Sequence, residues 1–320
     1  VTLVGHEQRV EAFLDAAHSG RMHHAWLLIG PRGVGKAKFA GLAAARLLAD
    51  GAGLEQDYPG FSIPSSSQTA RLLEAGSHPD FMRLTRAAHD GGDLARNISV
   101  AQVRDIQRLF AVSPSYSERR ILIIDAADDL ERAAANALLK NLEEPPSGTV
   151  FFLISHAPGR LLPTIRSRCR TLRFGRLDEA QMMAVLRAEL PEAEELERQA
   201  LAKAGDGSPG RAIGFAGLDV SKIDALIEAL IRTGDPTNAE RSALARLLSG
   251  KAAQQRYEAF LERVPAHILD HAKGLSGEEL AAALDCWEEA RRLTDNALRR
   301  SLDPQATAFA LGSLLAGLAP

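Results

Sequence analysis

A glycine-rich segment placed directly after a short apolar run constrains this chain more than any other feature. Trp26-Leu27-Leu28-Ile29 reads as a buried strand, GPRGVGKA follows from Gly30 to Ala37, and the Ala/Leu-rich stretch from Lys36 to Leu48 reads as a helix. Gly30, Gly35 and Lys36 have the G-x-x-x-x-G-K spacing of a phosphate loop, with Gly33 inside it. Backbone N–H groups of such a loop point at phosphate oxygens, and the helix N-terminus adds partial positive charge. Lys36 is then expected to reach the terminal phosphates. The same residues also suit a plain strand-to-helix turn with a solvent-exposed lysine. GPRGVG lacks the G-x-G-x-x-G spacing of a dinucleotide loop. After Lys36 stands Ala37, where the motif carries the Ser or Thr whose hydroxyl ligates magnesium.

Phe81 to Leu84, Ile121 to Ile124, Val150 to Ile154 and Thr171 to Phe174 read as further buried strands, with helical patterns between them. This alternation predicts an α/β P-loop domain on a parallel five-stranded sheet. Ser99 with Gln102, and Asp178 with Gln181, are spaced as capping boxes, and Leu177 is placed to staple Met182. The Ala-rich helix from Glu131 to Leu142 is stopped by Pro145-Pro146. Residues 57–68, rich in Pro and Ser, predict an irregular loop. No convincing strand follows residue 174. A long helix is expected from Glu278 to Arg300, with Leu280, Leu284, Trp287, Ala290, Leu293 and Ala297 on one apolar face. The domains expected are an α/β domain at 1–174, a small helical domain at 175–215 and an all-helical domain at 216–320.

The strand at Ile121 to Ile124 delivers Asp125, which also suits a capping residue at the strand end. Hydrolysing P-loop enzymes of this type usually follow that Asp with a Glu that polarises water; here it is Ala126. Asp128 and Asp129 are shorter than Glu and offset. Loss of a general base costs about 10²–10⁴ in rate. With Ala37 as an independent second defect, the pair points to a retired site rather than a slow one.

Composition sets outer bounds. The chain has 320 residues, 46% of them hydrophobic, which excludes wholesale disorder. A net charge of -3 excludes a globally basic nucleic-acid binder but not a local basic strip. Two cysteines, Cys169 and Cys286, make neither a disulfide framework nor a four-cysteine zinc site, and fit a reducing cytoplasm. No apolar run is long enough for a membrane span, and no signal pattern opens the chain. It starts at Val1 rather than at a methionine, so residues upstream are expected in the natural protein.

The stretch NALLKNLEEPP at Asn136 to Pro146, with HHAWLLIGPRGVGK before it and LLPTIRSRCR after it, resembles the clamp-loader branch of the AAA+ ATPases. Within that branch Ala37 and Ala126 favour the delta-prime type, whose members do not hydrolyse ATP. The resemblance covers most of residues 1–215 and, more loosely, a C-terminal collar. It implies an AAA+ domain, a helical lid and an all-α oligomerisation domain. It also implies gamma/tau-type and delta-type partners in a hetero-pentamer, and a sliding clamp placed on primer-template DNA. The chain would be a cytoplasmic subunit of a DNA polymerase holoenzyme without ATPase of its own. The alternative is an active gamma/tau-like subunit.

Arg166, Arg168 and Arg170 alternate just before a strand, so all three are expected to project the same way. By residue type they suit a solvated charge run. The resemblance matches Ser167-Arg168-Cys169 to the family's arginine finger, inserted into the ATP site of an adjacent subunit. A guanidinium offers a planar fork for phosphate. Ser155-His156 stands where the family places a sensor of the γ-phosphate, usually Thr or Asn. Gly207 to Arg211 resembles the second sensor, with Ser208 as N-cap and Pro209 at the first helical position. Arg211 in that first turn is disfavoured by about 0.3–1 kcal/mol, which a phosphate or carboxylate partner would explain. An ordinary solvated arginine remains open.

Many relatives carry a four-cysteine zinc module between the P-loop helix and the second strand. The interval from Ala49 to Asp80 has no cysteine, so no zinc and no other metal is expected. His78, in a Gly-x-His-Pro-Asp frame, reads as a turn residue, and His23-His24 as a surface pair. Arg104 and Arg108, one turn apart, suit either a DNA backbone or solvent. No cofactor is required on this reading, with weak phosphate or nucleotide binding left to the vestigial loop of Gly30, Gly33, Gly35 and Lys36 and to Asp125.

Overall fold

Five parallel strands lie in the order β2-β3-β4-β1-β5. They are β1 (Ala25–Ile29), β2 (Phe81–Leu84), β3 (Arg120–Asp125), β4 (Thr149–Ser155) and β5 (Arg170–Arg173). The computed structural model describes residues 3–20, 22–53, 58–88, 94–110 and 112–319. Val1 and Asp57 lie outside these residues, and so does the side chain of Arg108.

The helices around the sheet are α1 (Glu7–His18), α2 (Lys36–Gly51), α3 (Gln68–Glu74), α4 (Val100–Phe110), α5 (Arg132–Glu143), α6 (Pro163–Ser167) and α7 (Glu179–Glu189). Both faces of the central strands β1, β3 and β4 are covered, which is why these read as unbroken apolar runs. The edge strands correct the expectation of burial, β2 being only partly buried and β5, Arg170–Arg173, largely exposed. Trp26, Leu28, Ile121, Ile123, Phe152 and Ile154 face a core with Phe13, Phe39 and Leu47. Leu27, Ile29, Leu122, Ile124, Phe151 and Leu153 face a second core with Val103, Ile106 and Leu138. Helix α1 and the short α3 carry no strong sequence signal and are additions to the expected pattern.

Both capping boxes form. Asp178 accepts from the Gln181 amide while Gln181 reaches back to the Asp178 amide. Ser99 and Gln102 exchange the equivalent bonds at 3.1 and 3.3 Å. Leu177 and Met182 are both buried beside the first of these boxes.

The cysteine-free interval is held by a buried arginine. Arg46 of α2 is 1% exposed. Its Nε donates to Asp50 Oδ1 at 2.7 Å, and its Nη1 to the Tyr58 and Gly60 carbonyls at 2.7 and 3.1 Å. Further on, Asp80 is buried and its carboxylate accepts from the amides of Ser115, Tyr116 and Ser117 at 2.7, 2.7 and 2.9 Å. His78 Nδ1 accepts from the Asp80 amide, as a turn residue would.

The chain divides into two compact units, Val1–Ala193 with Gly205–Arg211, and Glu194–Ala204 with Ala212–Pro320. Outside the sheet lie α8 (Glu195–Gly205), α9 (Pro209–Phe215), α10 (Val220–Thr233), α11 (Ala239–Leu247), α12 (Gln254–Ala272), α13 (Gly277–Arg300) and α14 (Pro304–Ala316). The second unit is helical among its described residues. Ile223, Ile227, Leu230, Phe260, Val264, Ala290, Leu311 and Leu315 form its core. The expected apolar face of α13 holds at Trp287, Ala290, Leu293 and Ala297, which form or pack on the core, and needs correction at Leu284. Ala283, Ala290, Thr294 and Ala297 are its buried line, whereas Leu284 is 43% exposed. Leu284 lies one position past Ala283 and falls off the stripe.

Candidate functional site

The crevice at the carboxyl end of β1 is the natural ligand position in such a sheet, because the strand order reverses there. Strand β1 lies between β4 and β5, with Ile29 opposite Ser155 on one side and Arg173 on the other. The loop Gly30 to Gly35 leaves from that end and Lys36 opens α2.

Two glycines are required there by close approach. At Gly30, with φ of 152°, a Cβ would stand 2.2 Å from the Phe174 carbonyl oxygen. At Gly33, with φ of 82°, it would stand 2.8 Å from the Arg211 amide nitrogen. The start of α9 therefore sits directly on the crest of the loop. The Gly210 amide donates to the Gly33 carbonyl at 2.9 Å, and the Arg211 amide to the Ser208 carbonyl at 3.0 Å. The N-cap bond expected of Ser208 is absent; its Oγ is buried without a partner among the described residues. The amides it would have served are already taken. The sequence-predicted Gly30, Gly33, Gly35, Lys36 and Arg211 are thus brought together, with Arg211 in the first turn of its helix as expected.

Lys36 turns back on its own loop. It is 3% exposed, and its Nζ donates to the carbonyls of Gly30 and Pro31 at 2.6 and 2.5 Å. Burial pushes its pKa down to about 8, opposed by Asp128 and Asp125. The acids of the IIDAADDL segment are also engaged. Arg83 lies opposite Ile123 on β2, and Asp125, two residues along β3, lies on the same face. Its Oδ2 accepts from Arg83 Nη2 at 2.5 Å. Asp129 pairs with Arg86 at 3.4 Å. Asp128 accepts from Ser155 Oγ at 2.7 Å, from the His156 amide, and from the Ala157 amide at 3.3 Å. The Ser155 hydroxyl expected at a sensor position is thus spent on a neighbouring strand connection. Burial, with Lys36 nearby, pushes the His156 pKa down to about 4. Asp125 answers an arginine, Lys36 answers carbonyls, and no hydroxyl stands at 37. With alanine at 37 the loop lacks the side-chain oxygen that such loops offer magnesium. Among the described residues, no cluster of three or more His, Cys, Asp or Glu could hold a metal ion.

Arg168 lies elsewhere. Arg166 is not in an extended run with Arg168 and Arg170, as alternation suggested: it is in α6, and Arg168 is that helix's C-cap. The proline at the first position of α6 starts a helical turn that continues to Ser167 and overrides strand spacing. Arg170 pairs with Trp26 at the amino end of the sheet, while Arg173 pairs with Ile29 at its carboxyl end. At a rise of about 3.3 Å per residue, Arg170 is about 10 Å from the phosphate-loop rim. Arg168 precedes it, on the opposite rim. Its Nη2 stands 2.6 Å from Glu143 Oε1, and its Nη1 donates to the Thr164 carbonyl at 2.9 Å. Nothing in the residue pattern pointed to Glu143 as a partner. His24 is not a bare surface residue either: its Nε2 is 3.0 Å from the Leu142 carbonyl, and its ring stacks on His23 at 4.5 Å.

The family model described as DNA polymerase III, delta subunit matches residues 5–178. The chain belongs to this family. It is 40% identical over 146 residues to the DNA polymerase III subunit delta' of Pseudomonas aeruginosa, covering 46% of this chain and 41% of the relative. It is 32% identical to the delta' subunit of Escherichia coli, covering 69% of this chain and 63% of the relative. The tau subunit of Escherichia coli is 31% identical, with 87% and 41% covered. Each match spans less than two thirds of the relative. The fold is the α/β P-loop class expected, with its parallel five-stranded sheet and helical carboxyl-terminal region. Among the described residues, no helix is long and apolar enough to cross a membrane.

Proposed function

We propose that the chain is a delta-prime-type stator of a DNA polymerase III clamp loader. It does not hydrolyse ATP and supplies Arg168 to a neighbouring subunit's nucleotide. Its partners on this reading are gamma/tau-type and delta-type subunits in a hetero-pentamer, with the sliding clamp and primer-template DNA reached through the complex. The observation that carries the reading is the opposition of the two rims. Arg168 is on the rim away from the chain's own phosphate loop, so it serves a nucleotide only across a subunit boundary. The loop's own Lys36 and Asp125 have partners within the chain.

Phosphate release from the isolated chain, with and without magnesium, tests this. The expected result is no turnover above a Lys36→Ala control. Turnover on the order of one per second, lost in that control, would refute it. The similarity to tau over 87% of the chain favours a second reading, an ATP-hydrolysing gamma/tau-like subunit; the same assay separates the two.

Zinc has no part in the proposal. Metal analysis of protein purified without chelators should find zinc far below stoichiometric amounts. Stoichiometric zinc bound near His78 would overturn this.

A further inference from the structure

Two sequence motifs that lie far apart in the chain meet in one ion pair. Glu143 is the last residue of α5, inside NLEEPP, and Arg168 is the C-cap of α6. An acid in the last turn of a helix faces the negative end of its dipole, at a cost of about 0.3–1 kcal/mol. The ion pair offsets that cost: one terminal nitrogen of Arg168 is 2.6 Å from Glu143 Oε1, while the other donates to the Thr164 carbonyl at 2.9 Å and holds the guanidinium in place. The terminal N–H groups engaged in these contacts belong to the fork that would grip a phosphate. Side-chain exposures of 34% for Arg168 and 49% for Glu143 place the pair where an incoming anion can compete.

We propose that Glu143 is the resting counter-ion of Arg168, holding its guanidinium against its own subunit until a nucleotide phosphate on a neighbouring subunit displaces the carboxylate. This rests on the reading of Arg168 as a finger supplied in trans. Exposed pairs of this kind contribute about 0.2–1 kcal/mol, so the latch is weak enough to be opened by a phosphate with several negative charges. Arg168 touches the reacting group; Glu143 is a positioning residue that acts through it.

The test is a double-mutant cycle in the complete loader complex, read as ATP hydrolysis in the presence of clamp and primed DNA. Glu143→Gln keeps the size of the side chain and removes the charge. It should raise kcat about 1.5- to 5-fold, the range set by a surface pair. Glu143→Asp, with a shorter reach, should fall between wild type and Glu143→Gln. In an Arg168→Ala background, Glu143→Gln should have no effect. An independent readout on the full chain alone is the NMR signal of the Arg168 guanidinium, whose restricted rotation should be reduced in Glu143→Gln, the Thr164 contact remaining. An unchanged or lowered kcat in Glu143→Gln, or the same gain with Arg168 absent, overturns the counter-ion role. If Arg168→Ala is itself silent, the finger reading falls and this inference with it. If Arg168→Ala slows hydrolysis while Glu143→Gln does nothing, the Glu143 role alone falls.

Discussion

On the proposed reading of Arg168 as a finger supplied in trans, Arg168→Ala is expected to lower ATP hydrolysis about 10³–10⁵-fold at the neighbouring subunit's site, the range for arginine fingers in P-loop systems. The effect arises because the guanidinium meets charge that develops as the phosphoryl group transfers, which an interaction already complete in the ground state would not accelerate. Steady-state hydrolysis by the assembled loader will show a smaller loss, since other sites in the ring keep turning over. Single-turnover measurements isolate the affected site. Folding and assembly should be nearly unchanged, because what is lost is a part-exposed ion pair to Glu143 and a surface hydrogen bond to the Thr164 carbonyl. Arg168→Lys should not restore the rate, as an ammonium lacks the planar fork. Arg166→Ala is the clean charge control, being exposed on α6. Arg170→Ala is less clean, since its guanidinium lies 5.1 Å from the Trp26 ring. Equal losses from Arg166→Ala and Arg168→Ala would reduce the effect to general electrostatics. Clamp loading at the wild-type rate with Arg168→Ala would remove the finger assignment.

Arg46→Ala is expected to destabilise the α/β unit by about 3–5 kcal/mol, the cost of breaking a buried pair by removing one partner. It leaves Asp50, whose side chain is 13% exposed, without its cation, and the Tyr58 and Gly60 carbonyls without their donor. At about 2–4 °C per kcal/mol for a unit of this size, the melting temperature falls by about 6–20 °C. Thermal unfolding followed by near-ultraviolet circular dichroism measures it. Arg46→Lys should recover only part, because one ammonium cannot span Asp50 and two carbonyls. Replacing the pair with Arg46→Met and Asp50→Leu should lose less than Arg46→Ala alone, since no charge is then stranded. A loss below about 1 kcal/mol would show that the guanidinium does not hold the loop.

Legibility in the sequence followed the range of the interactions. The central strands β1, β3 and β4 were readable because they are covered on both faces, so burial leaves an unbroken apolar run such as Trp26 to Ile29. The capping boxes at Ser99 and Asp178 were readable because their partners are three residues apart. Most of the apolar face of α13 was readable from its period: Ala290 and Ala297 are core and Trp287 and Leu293 pack on it, while Leu284 falls outside the stripe and Ala283 inside it. The alternating arginines were misplaced because the α6 turn intervenes, and strand spacing does not hold across a helix.

The sequence by itself determined the P-loop topology, the absence of a hydroxyl at Ala37 and of a carboxylate at Ala126, and the candidacy of Arg168. Each of these is a matter of residue type at short spacing, where local propensity and backbone geometry act directly. Only the tertiary structure decided what the charged groups touch. Arg83 reaches Asp125 across 42 residues, Ser155 reaches Asp128 across 27, and Arg168 meets Glu143 from another helix. The opposition of the two rims likewise follows from the parallel register of β1 and β5. Ion pairs and hydrogen bonds depend on distance in space and on exclusion of water, and neither is written into spacing along the chain.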